Sequence, residues 1–231
     1  MRIWLDTDLG SDVDDALALV YALRHPDVEL VGVSTVFGDV ELRTRIADRL
    51  LAIAGRSDIP VVAGLGKPLT EGRQGVMFGH EGLGLLDAPE PLLRVHEDPE
   101  GGQRISALAD ALERARPDAL VAIGPLTNLG ALVGTGLALP RLAIMGGKLV
   151  DGAFEGMNPV IEEWNWWCDP QAVQAVLGAS HTVRPRVVPA EVTFRTALAP
   201  GDVERLEGGD DLTRALGGLC REWMTAQVER L

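Results

Sequence analysis

The chain alternates short, almost wholly apolar segments with longer segments of helical spacing, and that rhythm restricts its possible folds more than any other property. Residues 2–5, 29–36 and 59–63 carry the apolar and β-branched runs of buried strands, and residues 12–25 and 42–54 between them carry helical patterns. The first of these helices is expected to turn Leu17, Val20 and Tyr21 inward. The alternation resumes further on, with helices predicted over residues 105–115, 126–133 and 170–177 and strands over 119–123, 141–145 and 182–188. Strands this apolar need cover on both faces, and strands joined through helices run parallel. The expected fold class is therefore α/β, a single domain over residues 1–231 with a mostly parallel central sheet flanked by helices. Residues 64–102 break the rhythm, being rich in Gly, Pro and charge, and are expected to form a long loop of the kind that covers an active site. Residues 212–231 return to helical spacing at Leu212, Leu216, Leu219, Trp223 and Val228 and stop without a cap.

Charge narrows the partners. With 21 basic against 34 acidic residues the formal charge is −13, which disfavours nucleic-acid backbones and anionic membrane surfaces and suits a cation or a neutral small molecule. No uncharged apolar stretch approaches the roughly 20 residues that span a bilayer. Cys168 and Cys220 lack metal-binding spacing, and the first residues, Met-Arg-Ile-Trp-Leu-Asp, lack the pattern of a signal peptide, so a cytoplasmic location is expected.

Directly after the first predicted strand comes Asp6-Thr7-Asp8-Leu9-Gly10-Ser11-Asp12-Val13-Asp14-Asp15. Helix capping accounts for part of it: Ser11 or Asp12 as N-cap, with Asp14 and Asp15 in a first turn favoured by the helix dipole. Capping leaves Asp6 and Asp8 unexplained. Two residues apart on a strand end they share one face, and their repulsion in a partly buried crevice exceeds what capping returns. A hard divalent cation resolves the conflict, either Ca²⁺, which takes several oxygen ligands at irregular geometry, or Mg²⁺, which takes fewer.

Asp-Thr-Asp-x-Gly followed by Asp-Asp-Ala-Leu-Ala-Leu resembles the N-terminal signature of nucleoside hydrolases of the inosine-uridine preferring type. In the same order, Gly124-Pro-Leu-Thr-Asn128 is similar to the family's Gly-x-Leu-Thr-Asn turn and Met145-Gly-Gly to its Met-Gly-Gly strand end. Asn158 with Glu163-Trp164-Asn165 and Asp169-Pro170 resembles its Glu-Phe-Asn and Asp-Pro segment. The resemblance spans nearly the whole chain. It implies a nucleoside-hydrolase-like fold, a small-molecule nucleoside as partner, association with copies of itself and a role in nucleoside salvage on purine or pyrimidine substrates. It implies that Asp8 and Asp15 ligate calcium through side chains and Ile123 through its carbonyl, with Asp8 also taking the proton from the attacking water. Asp14 and Asn165 then bind the sugar around its 2′-hydroxyl, Asn158 and Glu163 bind the 5′-hydroxyl, and Asp6 orients the ligands from behind. Asp12 falls in a stretch that the family's shorter form lacks, and is read as a cap behind the metal or as an extra ligand. Asp39 stands where the family often has asparagine, beside the sugar. The family's late His-Asp pair, which carries its last calcium ligand, is expected beyond Leu231, so the resemblance implies that this chain lacks that segment and turns over slowly or not at all.

Cleavage of an N-glycosidic bond passes through an oxocarbenium-like sugar, so such a site must stabilise positive charge on the ring and deliver water to C1′. His80 is placed in the long loop within reach of the leaving base. Trp164, on a predicted strand, either stacks on the base or faces the core, whereas Trp166 and Trp167 are read as packing. Two alternatives stay open at this point. Asp6-Thr7-Asp8 also resembles the nucleophile and acid pair of haloacid-dehalogenase-type phosphatases, although Lys67 and Lys148, the only lysines, lack the expected context. The other is a calcium- and ribose-binding form without turnover.

Overall fold

The computed structural model describes residues 1–86, 100–150 and 162–229. Its first half runs β1 (Arg2–Thr7), α1 (Asp14–Arg24), β2 (Glu29–Thr35), α2 (Val40–Ile53) and β3 (Val61–Ala63). The middle is α3 (Gly101–Ala115), β4 (Ala119–Ala122), α4 (Thr127–Gly134) and β5 (Arg141–Met145). The last part is α5 (Trp164–Cys168), α6 (Pro170–Gly178), β6 (Arg186–Val188), α7 (Ala190–Thr193), α8 (Pro200–Glu207) and α9 (Asp211–Glu229). The six strands form one sheet in the order β3-β2-β1-β4-β5-β6, and every pairing is parallel, as the apolar strands require.

Side-chain alternation along β1 divides the interior. Ile3 and Leu5 face a core shared with α1, α2 and the first half of α9, while Trp4 faces the opposite core, shared with α3, α4 and α6. Trp4 pairs with Gly32, where a Cβ would come within 2.1 Å of the indole ring, and its Nε1 donates to Ser34 Oγ at 3.0 Å. Thus β2 carries a glycine so that β1 can carry the bulkiest side chain of the sheet.

Several sequence expectations need correcting. Tyr21 is 66% exposed, and α1 instead buries Asp15, Ala16, Leu19, Val20 and Ala22. A carboxylate therefore takes a place on the apolar face. In α9 the inward stripe of Leu212, Leu216 and Leu219 ends before Val228, which is 71% exposed. The strand expected over 182–188 is confined to Arg186–Val188. Residues 64–86 hold neither helix nor strand, in line with a loop; 87–99 lie outside the described residues, and Gly101 and Gly102 already belong to α3. Both cysteines are free and buried. Among the described residues no helix is long and apolar enough to cross a membrane.

Candidate active site

The chain builds β1, β2 and β3 outward in one direction, then returns to place β4 on the other side of β1. Loops leaving the C-terminal ends of β1 and β4 diverge to opposite faces, and the crevice between them is where open α/β sheets bind ligands. The acidic run leaves β1 at this point. Ile123 N donates to the Asp6 carbonyl at 2.9 Å, and Gly124 lies so close that a Cβ there would stand 2.8 Å from Asp8 Oδ1. Any side chain at Gly124 would displace the Asp8 carboxylate.

Burial sets the electrostatics. Asp6 is fully buried; it accepts from Ser34 Oγ and, at 2.8 Å, from Asn128 Nδ2, yet its Oδ2 has no hydrogen-bond partner. Burial raises its pKa to about 6 against the relief those bonds bring. Asp8 is raised further, to about 7, by burial first; the Arg43 charge opposes this and Asp14 adds to it. Asp15 accepts from Thr7 Oγ1, and burial followed by the Asp8 and Asp14 charges pushes it well above the usual range. Asp14, whose side chain reaches solvent, is also raised, by loss of water around its carboxylate and then by Asp12. Asp12 does not cap α1: the N-cap position is Val13 with no side-chain bond, and Asp12 accepts from Trp223 Nε1 of α9 at 2.7 Å. Ser11 is also occupied elsewhere, donating to Glu81 Oε1 at 2.9 Å.

The segment after residue 161 arrives from the β5 side. Asn165 is buried and donates through Nδ2 to the Ile123 carbonyl at 2.7 Å, so two predicted site groups meet directly. Glu163 caps α5, accepting from Asn165 N at 2.8 Å and Trp166 N at 2.9 Å, and also holds Gly147 N at 2.7 Å. Trp164 lies on this helix rather than on a strand, 38% exposed, edge-on to Phe37 at 6.2 Å and stacked on Trp167 at 5.5 Å. Trp167 is no packing residue: it is 46% exposed, with the Arg73 guanidinium 4.3 Å over its ring. Trp166 does pack, filling the space above Gly146, where a Cβ would meet it at 2.3 Å. Asp39 is the N-cap of α2, its Oδ1 accepting from Leu42 N at 2.9 Å. His80 is buried and its Nε2 contacts the Ser11 carbonyl at 2.7 Å; a carbonyl only accepts, so Nε2 carries the proton. Asn158 lies outside the described residues.

Three side chains to which sequence reasoning gave no role organise this crevice, although Asn128 and Asp169 stand in the motifs quoted above. Asn128 Nδ2 bridges Asp6 and the Thr35 carbonyl, while its Oδ1 receives Leu65 N at 2.8 Å. Asp169, fully buried, accepts from Leu69 N, Thr70 N, Thr70 Oγ1, Thr127 Oγ1 and Ala172 N, which ties the residue 69–70 loop to the starts of α4 and α6. Arg43, fully buried on α2, bonds the carbonyls of Asp8, Leu9 and Phe37. A signal for Arg43 existed: it lies three residues before Ile46 and seven before Leu50, on the helix's apolar face.

The sequence profile described as inosine-uridine preferring nucleoside hydrolase matches residues 3–230. The chain belongs to the nucleoside hydrolase family. It is thereby an N-ribosyl hydrolase, and the phosphatase alternative falls away. It is 30% identical to uridine nucleosidase 1 of Arabidopsis thaliana over 96% of this chain and 67% of that one. It is 32% identical to the pyrimidine-specific ribonucleoside hydrolase RihA of Klebsiella pneumoniae over 89% of this chain and 65% of that one. It superposes on a solved plant nucleoside hydrolase with a TM-score of 0.73 at 27% identity, covering 99% of this chain and 72% of that one. The chain thus spans about two thirds of the length of these curated relatives.

A nucleoside hydrolase calls for a metal, and the donor set in the crevice suits a hard cation. The donors are carboxylate and carbonyl oxygens, burial raises four carboxylate pKa values with neighbouring aspartate charge adding to it at Asp8, Asp14 and Asp15, and Asp6 Oδ2 is buried without a partner. Among the described residues no three His, Cys, Asp or Glu side chains are arranged as a metal cluster.

Proposed function

We propose that this chain hydrolyses the N-glycosidic bond of ribonucleosides with a calcium ion held between Asp8, Asp15 and the Ile123 carbonyl. The observation that carries the reading is a set of buried carboxylates at the sheet's switch point, with Arg43 as the cation that opposes the charge of Asp8 and Asp15. When bound, the cation would neutralise that charge, orient sugar hydroxyls and make nearby water more acidic. Asp8 accepts the proton of the attacking water as general base. Asp14 and Asn165 hold the ribose around its 2′-hydroxyl, and the negative charge of Asp14 favours an electron-poor ring in the transition state. Among the described residues three backbone N–H groups bond the Glu163 carboxylate, which would leave a lone-pair site for a 5′-hydroxyl, with Asn158 as its partner there. Trp164, beside Phe37 and Phe78, offers a face to the base, and Asp39 would border the sugar with the oxygen not spent on capping. His80, with Nε2–H on Ser11, would act on the leaving base through Nδ1, as a donor only when the ring is charged. Uridine is the first substrate to assay, because two of the curated relatives are named for uridine or pyrimidine ribonucleosides. Nucleoside salvage in the cytoplasm by a self-associated form is the biological setting that goes with this reading.

Thermal unfolding with and without calcium tests it. A ligand at a hundredfold its Kd stabilises by roughly 2.7 kcal/mol, which for a chain of this size raises Tm by roughly 5 to 10 °C. Millimolar Ca²⁺ should raise Tm, a chelator should reverse the shift, and Asp8→Ala should abolish it. A protein indifferent to calcium, or an Asp8→Ala variant that responds like wild type, would sink the assignment.

A further inference from the structure

Burying a guanidinium is costly unless each donor finds an acceptor, so the targets chosen by a buried arginine are informative. Arg43 Nε donates to the Phe37 carbonyl at 2.6 Å, Nη1 to the carbonyls of Asp8 and, at 2.9 Å, Leu9, and Nη2 to Ser11 Oγ at 3.1 Å. None of these bonds goes to a carboxylate. The charge still acts on Asp8 and Asp15, but the fork grips the backbone of the loop that carries Asp8 and the end of β2, where Phe37 adopts a left-handed φ of 65°. An arginine serving only to balance charge would take the carboxylate directly. This one leaves the Asp8 oxygens to another partner. Ser11 extends the grip: its hydroxyl donates to Glu81, which accepts from Phe78 N at 2.7 Å and Gly79 N at 2.8 Å, and its carbonyl receives His80. One guanidinium thus joins the acidic loop, the end of β2 and the residue 78–81 segment.

We infer that Arg43 is a positioning residue whose guanidinium holds the Asp8–Ser11 backbone in the shape that aims the Asp8 carboxylate at a divalent cation. The inference rests on the cation site proposed above. Lysine at this position keeps the charge but loses the planar fork, and its single ammonium cannot span carbonyls on two loops. Calorimetric titration with calcium should therefore show Arg43→Lys binding at least tenfold more weakly than wild type while keeping its circular dichroism, in line with the roughly 10–100-fold typical of groups that orient a metal ligand. Unchanged affinity in a folded Arg43→Lys overturns the role.

If that variant fails to fold, the wild-type protein decides. The Arg43 Nε–H, buried on the Phe37 carbonyl, should give a slowly exchanging proton–nitrogen resonance that moves on saturation with calcium, whereas those of the exposed Arg24 and Arg56 stay in place. An Arg43 signal that does not move overturns the role just as firmly. Absence of calcium heat in wild type overturns the cation site and this inference with it; calcium heat in wild type with no change in the variant overturns the inference alone.

Discussion

At the scale of single residues, Asp14 and Asn165 carry the substrate proposal. Both stand at the crevice, Asp14 at the start of α1 and Asn165 on the Ile123 carbonyl, so a ribose between them would meet an acceptor and an amide. A site built to bond a hydroxyl rejects the analogue lacking it, because its polar groups are left unpaired. We expect 2′-deoxyuridine to show kcat/KM at least ~100-fold below uridine, and Asp14→Ala to narrow that ratio by lowering uridine more than deoxyuridine. Steady-state rates on the two substrates check this, and an equal ratio in wild type and variant would remove Asp14 from the 2′-hydroxyl. Asp12 shows the opposite outcome at this scale. Read as a cap, it instead accepts the indole N–H of Trp223, a residue 211 positions away that no local pattern could indicate.

Among the elements, the approach of α4 to α6 decides how closely the helices of one sheet face can pack. Gly130 on α4 faces the backbone of α6, where a Cβ would stand 2.8 Å from Ala172 Cα and 2.9 Å from its Cβ. Gly134, one turn later on the same helix, would meet nothing within 4 Å. Gly130→Ala should therefore cost about 1–3 kcal/mol through overpacking against backbone that cannot yield. Gly134→Ala should be neutral or add up to ~1 kcal/mol by reducing the freedom of the unfolded chain. Denaturant melts of the two variants compare the same substitution in the same helix, so propensity alone predicts equal results and packing predicts opposite ones. Short elements such as α5 escaped sequence reading because Trp164–Cys168 has no complete helical repeat; what starts the helix there is Glu163 capping the N–H groups of Asn165 and Trp166.

For the whole molecule, the raised carboxylates couple stability to pH. Asp6 at about 6 and Asp8 at about 7 hold protons in the folded state that the unfolded chain, with its ordinary value of 3.8, has already released. Between pH 4 and 7 the native state binds more protons, so the stability they contribute is present below about 4 and is lost as pH rises through 7; Asp14 and Asp15 act in the same direction. Metal-free protein should melt at a higher temperature at pH 5 than at pH 8, and calcium should close the gap by raising the pH 8 value. A metal-free Tm that climbs over this interval would show that the cluster is not the crowded, uncompensated group described here.

Apolar periodicity sufficed for the parallel sheet, for the longer helices between its strands and for the want of helix or strand over residues 64–86, because burial on both faces leaves a mark at every strand position. The acidic run was equally legible, since five carboxylates in ten residues after a strand are more than one helix start can use. Strand order and neighbours were not. That Ile123 meets Asn165, that Gly124 must be small against Asp8, and that the Arg43 fork closes on Asp8, Leu9 and Phe37 all depend on how the strands and loops around β1 are brought together. Periodicity reports which face of an element is buried; the partner of a buried polar group lies across the fold, and only the tertiary structure supplies it.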